Sequence, residues 1–195
     1  MRLLRARGVR AGACAGLVSG PGERPPTVTT SRLRLRAPEP ADTDALFAIQ
    51  GDPETMRFTY FAPDRDATQR FLASYAERFA VDGFAPWTAC LEEDDRVVGW
   101  GGLNRDPKEP QWGVEVAYFI DPAFAGRGFA TEIVGASLAL AFDELGLPAV
   151  DAFTRPANRA SARVLEKSGF TRVGFEPAIE RDRYRVAASA WRASR

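Results

Sequence analysis

Apolar and polar residues alternate strictly through "GVEVAYFI" (113–120). Val114, Val116, Tyr118 and Ile120 fall on one face, and Glu115, Ala117 and Phe119 on the other. A period of two is that of a strand in a sheet. The same period marks "RLRLR" (32–36) as a first strand, while "PWTACLE" and "RVVGWGGL" flank the acidic turn "EDD" and predict a hairpin. "AVDAFT", "TRVGF" and "DRYRVAASAW" read as later strands. Elsewhere the period is helical. "PADTDALFAIQGDP" predicts a short helix closing near Gly51, and Asp66 with Gln69 resembles a capping box. Behind it Leu72, Tyr75 and Phe79 keep helical spacing up to Gly83. A third helix carries Val134, Leu138, Phe142 and Leu145 on one side and stops at Gly146 and Pro148. "NRASARVLEKSGF" predicts a fourth, with Lys167 as a last-turn cation and Gly169 as a left-handed cap. The order β-α-α-β-β-β-α-β-α-β-β predicts an α/β or α+β fold whose early strands are mostly antiparallel.

Residues 1–26 follow none of these periods. They hold Arg2, Arg5, Arg7 and Arg10, no acid before Glu23, and many Gly, Ala and Pro. They read as a flexible tail ahead of a single domain over 27–195. Without the tail, 21 basic side chains face 25 acidic ones, a net charge of −4. The balance over all 195 residues is zero, which gives no bulk attraction to nucleic acid or to an acidic membrane. No run approaches the ~18 apolar residues of a membrane-spanning helix.

Histidine is absent. That excludes Ser-His-Asp and Cys-His catalysis and the HExxH zinc site. The two cysteines, Cys14 and Cys90, form no CxxC pair, so neither a thiolate metal site nor a disulfide framework is expected and the chain reads as cytoplasmic. Any chemistry falls to carboxylates, hydroxyls, backbone amides or a cosubstrate.

The stretch "FAGRGFATE" (124–132) joins the alternating strand to the third helix. The first-turn amides of a helix lack intrahelical partners and carry partial positive charge. Glycines at 126 and 128 let an anion approach the backbone, and Arg127 can add a charged contact. A phosphate-bearing ligand fits, although an ordinary tight turn has the same composition. A P-loop needs Lys then Ser or Thr after its second glycine, where Phe129 and Ala130 stand; a Rossmann fingerprint needs Gly or Ala where Thr131 stands.

"GVEVAYFIDPAFAGRGFATE" and "PANRASARVLEKSGFTRVG" together resemble the GNAT superfamily of acyl-CoA-dependent N-acetyltransferases. "SRLRLRAPEPADTDALFAIQGDPETM" is similar to the opening of its RimJ/RimL-type branch, and the resemblance runs from about Thr30 to Tyr184. One departure is Ala125, where the superfamily commonly has Gln or Arg; Gly128 and Ala130 match the following positions. The resemblance implies a mixed, mostly antiparallel sheet flanked by about four helices and splayed between strands 4 and 5, those ending at Ile120 and beginning at Ala149. It implies acetyl-CoA as cosubstrate, no metal, and an amine acceptor, either a small molecule or a protein N-terminus. The pyrophosphate would lie on Gly126, Arg127, Gly128, Phe129, Ala130 and Thr131. The pantetheine arm would pair with the backbone at Phe119 and Ile120 and with Asn158. Glu115 is the implied base, unless a water relay serves, and Ser161 the implied donor to the leaving thiolate. Asn158 and Ser161 equally suit an N-cap and a first-turn residue of the fourth helix. A non-catalytic acyl-CoA-binding module and, less well, a nucleotide-binding protein are the alternatives. Either a monomer or a homodimer is compatible with these features.

Overall fold

The computed structural model describes residues 27–106 and 110–193. The expected tail therefore lies outside the described residues. Eight strands form one sheet: β1 (Val28–Thr29), β2 (Leu33–Arg36), β3 (Trp87–Leu91), β4 (Val97–Asn104), β5 (Glu115–Ile120), β6 (Ala149–Thr154), β7 (Thr171–Glu176) and β8 (Arg181–Ala187). Their order across the sheet is β1-β2-β3-β4-β5-β6-β8-β7. Every neighbouring pair is antiparallel except β5 and β6, which run parallel and share a single register pair, Glu115 with Asp151. The expected splay strands are thus β5 and β6; the short β1 shifts their numbers by one.

Five helices cover the two faces: α1 (Thr43–Gln50), α2 (Arg65–Asp82), α3 (Phe129–Ala139), α4 (Arg159–Lys167) and α5 (Ala188–Ala193). The fifth occupies the end of "DRYRVAASAW", where strand alternation gives way to an alanine-rich run, Ala being the best helix former. Helix α2 is capped two residues before the expected position. The side chain of Asp64, not Asp66, accepts from the Ala67 amide at 2.7 Å, and Asp66 sits in the first turn. Both acids suit such a position, and Pro63 just ahead decides between them by holding the preceding chain out of the helix. Gly83 ends α2 with φ 74°, as its position predicts.

The alternation of β5 sorts the core. Val114 and Val116 pack with Val134, Leu138 and Phe142 of α3 and its extension, and with Leu165 of α4. Phe119, from the opposite face, packs with Leu46 and Ile49 of α1, Leu72 of α2 and Trp100 of β4. The sheet is therefore buried on both sides near its centre, which is why "WTACL" of β3 is buried at every position.

Two buried carboxylates hold the frame. Asp42, just before α1, accepts from both Arg36 terminal nitrogens at 2.8 and 2.7 Å, from the Glu39 amide at 2.8 Å and from the Thr88 hydroxyl at 2.9 Å. Asp151, 3% exposed on β6, accepts from Arg183 at 3.2 and 3.1 Å and from Arg185 at 2.9 and 2.7 Å. Burial raises the Asp42 pKa, but Arg36 and the hydrogen bonds outweigh it, and the carboxyl ends below its ordinary value.

An Asp42→Ala substitution leaves Arg36 without its counter-charge, and is expected to cost about 3–5 kcal/mol, read as a lower urea midpoint at unchanged slope. Because the folded-state pKa of Asp42 is depressed, its contribution is complete above the unfolded carboxylate range and is lost as pH falls through the folded value. Wild type should therefore lose stability on acidification more steeply than the variant.

Candidate functional site

The chain from β5 into α3 is shaped by two reversals of backbone hand. Asp121 caps a short turn by accepting from the Ala123 amide at 2.8 Å, and Gly126 (φ 76°) and Gly128 (φ 87°) then take left-handed conformations that a side chain would strain. The first backbone bond of α3 runs from the Glu132 amide to the Gly128 carbonyl at 3.1 Å. Ahead of it, the amides from Gly126 to Thr131 have no acceptor among the described residues. The loop is pinned from behind: Glu132 accepts from Thr30 Oγ1 and from Arg32 Nε, both at 2.6 Å, and the Arg32 guanidinium lies over the Phe129 ring.

A cavity of about 650 Å³ opens in front of these amides. It is lined by Phe119, Ile120, Gly126, Gly128, Phe129, Ala130 and Thr131 from β5 and the loop, and by Asn158 and Ser161 from α4. Those are nine of the eleven residues expected from the sequence. Arg127 is not on the wall; its guanidinium packs over the Phe124 ring at 5.2 Å. Glu115 is not on it either, and lines a second cavity described below.

Strand geometry refines the backbone contacts. The Asp151 amide donates to the Val114 carbonyl, and the Asp121 amide donates to the Val98 carbonyl. Peptide groups alternate sides along a strand, so those of Tyr118 and Ile120 face the splay while those of Phe119 face β4. Phe119 therefore offers its ring to the site, stacked on Trp100 at 5.4 Å, and not its amide.

Helix α4 supplies polar groups from the other side. The Asn158 side chain accepts from the Ser161 amide at 3.1 Å and is an N-cap, as its position allowed. Ser161 Oγ lies 3.0 Å from Tyr118 Oη. Burial pushes the Tyr118 phenol up to about 12, so it keeps its proton at neutral pH. In the sequence, alternation groups Tyr118 with the apolar Val face and hides it as a site residue. Tyr184 is buried in the core among the α3 and α4 side chains, away from the cavity. Three further cations line the wall: Arg57, Arg163 and Lys167. Arg163 and Lys167 are four apart on α4, a spacing visible in the sequence, and make no ion pair among the described residues.

The second cavity, about 340 Å³, lies on the Glu115 face of the sheet and is lined by Asp106, Trp112, Glu115, Phe153, Arg155, Ile179 and Arg181. Glu115 Oε1 accepts from Asn104 Nδ2 at 3.0 Å. Burial raises its pKa, Asp106 and Asp151 add to the rise, and Asn104 and Arg181 oppose it; the carboxyl titrates at about 7. Burial also lowers the pKa of Arg181, against the pull of Glu115. One hydrogen bond links the walls of the two cavities: Phe58, in the connector after α1, lines the larger one, and its carbonyl accepts from Arg181 Nη2 at 3.5 Å. Among the described residues, no group of three or more His, Cys, Asp or Glu is placed to hold a metal, and no helix is long and apolar enough to cross a membrane.

A family model for the "Acetyltransferase (GNAT) domain" matches residues 32–171. A Bacillus licheniformis protein named "Uncharacterized N-acetyltransferase p20" is 29% identical over 151 residues, covering 76% of this chain and 84% of that relative. The crystal structure of an acetyltransferase from Agrobacterium tumefaciens str. C58 is 28% identical with a TM-score of 0.73, covering 83% of this chain and 94% of that one. A ribosomal-protein-S5-alanine acetyltransferase from Vibrio fischeri has a TM-score of 0.67 over 85% of this chain and 98% of its own, at 14% identity, a likeness of fold alone.

A carboxyl whose folded-state pKa is raised adds stability that is complete below its unfolded pKa and lost as pH rises through the folded value. Between pH 4.5 and 7, wild type should lose on the order of 2–3 kcal/mol relative to Glu115→Gln, measured by urea unfolding across that window. Parallel pH dependence of the two proteins would place the Glu115 carboxyl in ordinary solvent.

Proposed function

The chain belongs to the GNAT acetyltransferase family, and we propose that it moves an acetyl group from acetyl-CoA to a primary amine by direct attack within a ternary complex. One observation carries the reading: unpartnered amides, cations, a hydroxyl pair and a carboxyl titrating near 7 are arranged in sequence around the splay. The residues present suit coenzyme A. The amides from Gly126 to Thr131 are a cradle for a pyrophosphate, with Arg163 and Lys167 on the facing wall for further phosphate charge. The peptide groups of Tyr118 and Ile120, left without a strand partner past the single β5–β6 pair, suit an amide-bearing arm. Asn158 keeps its amide nitrogen for the same arm while its oxygen caps α4.

Acetyl-CoA supplies an activated acyl carbon and a thiol leaving group. The chain's residues manage the protons. Glu115, titrating near 7, is poised to take one from an ammonium at neutral pH, directly or through a water. The Tyr118 and Ser161 hydroxyls, 3.0 Å apart, form a chain from which one proton passes to the departing sulfur. An N–H on the splay-facing edge of β5 stabilises the oxyanion, an effect worth roughly 3–4 kcal/mol where such donors have been removed. The narrower RimJ/RimL-type likeness leans toward a protein N-terminus as acceptor, by analogy only.

Acetyl-CoA at about 100 times its dissociation constant should stabilise the fold by ~2.7 kcal/mol, seen as a thermal shift that ATP and NAD do not match. A Gly128→Glu variant, strained at φ 87° and carrying an anion into the cradle, should lose that shift. An equal shift with ATP or NAD would replace the coenzyme A reading with a nucleotide site. Binding without thiol release for any amine would leave a non-catalytic acyl-CoA-binding module.

In steady-state thiol release, Glu115→Gln should lower kcat by roughly 100-fold or more and remove the limb near pH 7. Tyr118→Phe and Ser161→Ala should each slow turnover, with the double variant less than multiplicative because the two hydroxyls act as one chain. An unchanged pH profile in Glu115→Gln would exclude Glu115 as the base.

A further inference from the structure

Arg181, Arg183 and Arg185 alternate along β8 and share one face of the sheet. Two of them are committed: Arg183 and Arg185 both grip Asp151. Arg181 is not. Its guanidinium lines the smaller cavity, where its hydrogen bond to the Phe58 carbonyl is 3.5 Å long. No carboxylate lies within ion-pair distance of it among the described residues. Glu115 in the same cavity attracts it only from beyond that distance, and a half-buried cation held so loosely is costly to keep unless a ligand supplies a closer oxyanion. The other cation on the wall, Arg155, already pairs with Glu180 at 3.1 Å. The same cavity carries the opposite charge as well, in Asp106 and Glu115, and an apolar wall of Trp112 and Phe153 with ring centroids 5.1 Å apart. Acids, an uncommitted arginine and an aromatic wall within about 340 Å³ are complementary to a small molecule with a positive end, a negative end and an apolar middle.

We propose that this cavity is the acceptor site, and that it takes a small primary amine bearing its own oxyanion, a carboxylate or a phosphate group. The inference rests on the acetyl-transfer reading above and names the acceptor for it. Arg181 holds the oxyanion and the amine lies toward Glu115. As the amine nitrogen bonds to the acetyl carbon, the carbon–sulfur bond of the thioester breaks. Glu115 receives the proton of the attacking neutral amine, the thiolate takes one from the Tyr118–Ser161 pair, and exchange with solvent then returns the proton from Glu115 to the pair. Arg181 also donates to Phe58 of the connector that lines the larger cavity, so a filled acceptor site braces the wall of the donor site.

The test measures thiol release from acetyl-CoA with four sets of amines: the common amino acids, their carboxamides, aminoalkyl phosphates, and short peptides with a free N-terminus and an amidated C-terminus. The expected result is a preference for one or more oxyanion-bearing amines over their neutral counterparts of roughly 30-fold or more in kcat/KM, collapsing in Arg181→Gln. The first and third sets separate carboxylate from phosphate. Arg181→Lys, which keeps the charge and loses the planar fork, should retain part of the preference. The acetyl-CoA thermal shift, measured on each variant, reports folding and the donor site independently; its absence from wild type would fail the acetyl-transfer reading itself. With that shift intact, equal rates on acids and amides overturn the proposal. So do a preference that survives in Arg181→Gln, no transfer to any oxyanion-bearing amine, or faster transfer to the amidated peptides, which would make a protein N-terminus the acceptor.

Discussion

Parallel strands β5 and β6 meet at one register pair and then part, and the rest of the site follows from that separation. A backbone that leaves its partner inside a protein must find other partners or water. Here the gap is kept open on both sides by packing: Tyr118 leans on the α3 face, and Phe119 is stacked on Trp100 beneath α1 and α2. Its base is held shut by Asp151, whose four hydrogen bonds from Arg183 and Arg185 lock β6 to β8 where β6 still touches β5. Geometry this fixed gives unpaired peptide groups a constant direction, which is what a preorganised site requires.

The sheet also separates two electrostatic environments. On the α3 and α4 side, helix-start amides and the α4 cations make a region suited to phosphate. On the other, Glu115 and Asp106 stand with Arg181 in a space small enough to raise the Glu115 pKa to about 7. Tyr118 and Glu115, three residues apart on β5, therefore present to opposite faces. In the proposed reaction one strand keeps the proton donor and the proton acceptor apart, and neither neutralises the other before substrate arrives.

Much of this was legible in the sequence where the signal is local. The period of two in "GVEVAYFI" assigned each residue to its face, and glycines 126 and 128 marked the loop before α3 as one an anion can approach. Asn158 was readable as a cap. What escaped depends on contacts between distant segments. Tyr118 sits on the apolar face and gains a polar role only because α4 brings Ser161 to it across 43 positions. The division of β8 into two committed arginines and one uncommitted arginine is set by Asp151, some thirty residues earlier. "RDRYR" alone gives three equivalent cations. The separation of Glu115 from the larger cavity likewise needs the sheet to be assembled, since a strand's period tells which face a side chain takes but not what lies there.

The position of β8 also governs when the site can exist. It is the last strand of the sheet in chain order, yet it lies between β6 and β7. During synthesis the loop cradle and α4 emerge first, while β6 has an open edge and Asp151 is a carboxylate with neither of its arginines. Only when β8, paired with β7 as a hairpin, docks its other edge on β6 do the base of the splay and the cation of the smaller cavity arrive together. One strand, β8, thus carries both the arginines that fix the gap and the cation that lines the second cavity, so the two features stand or fall with a single segment of chain.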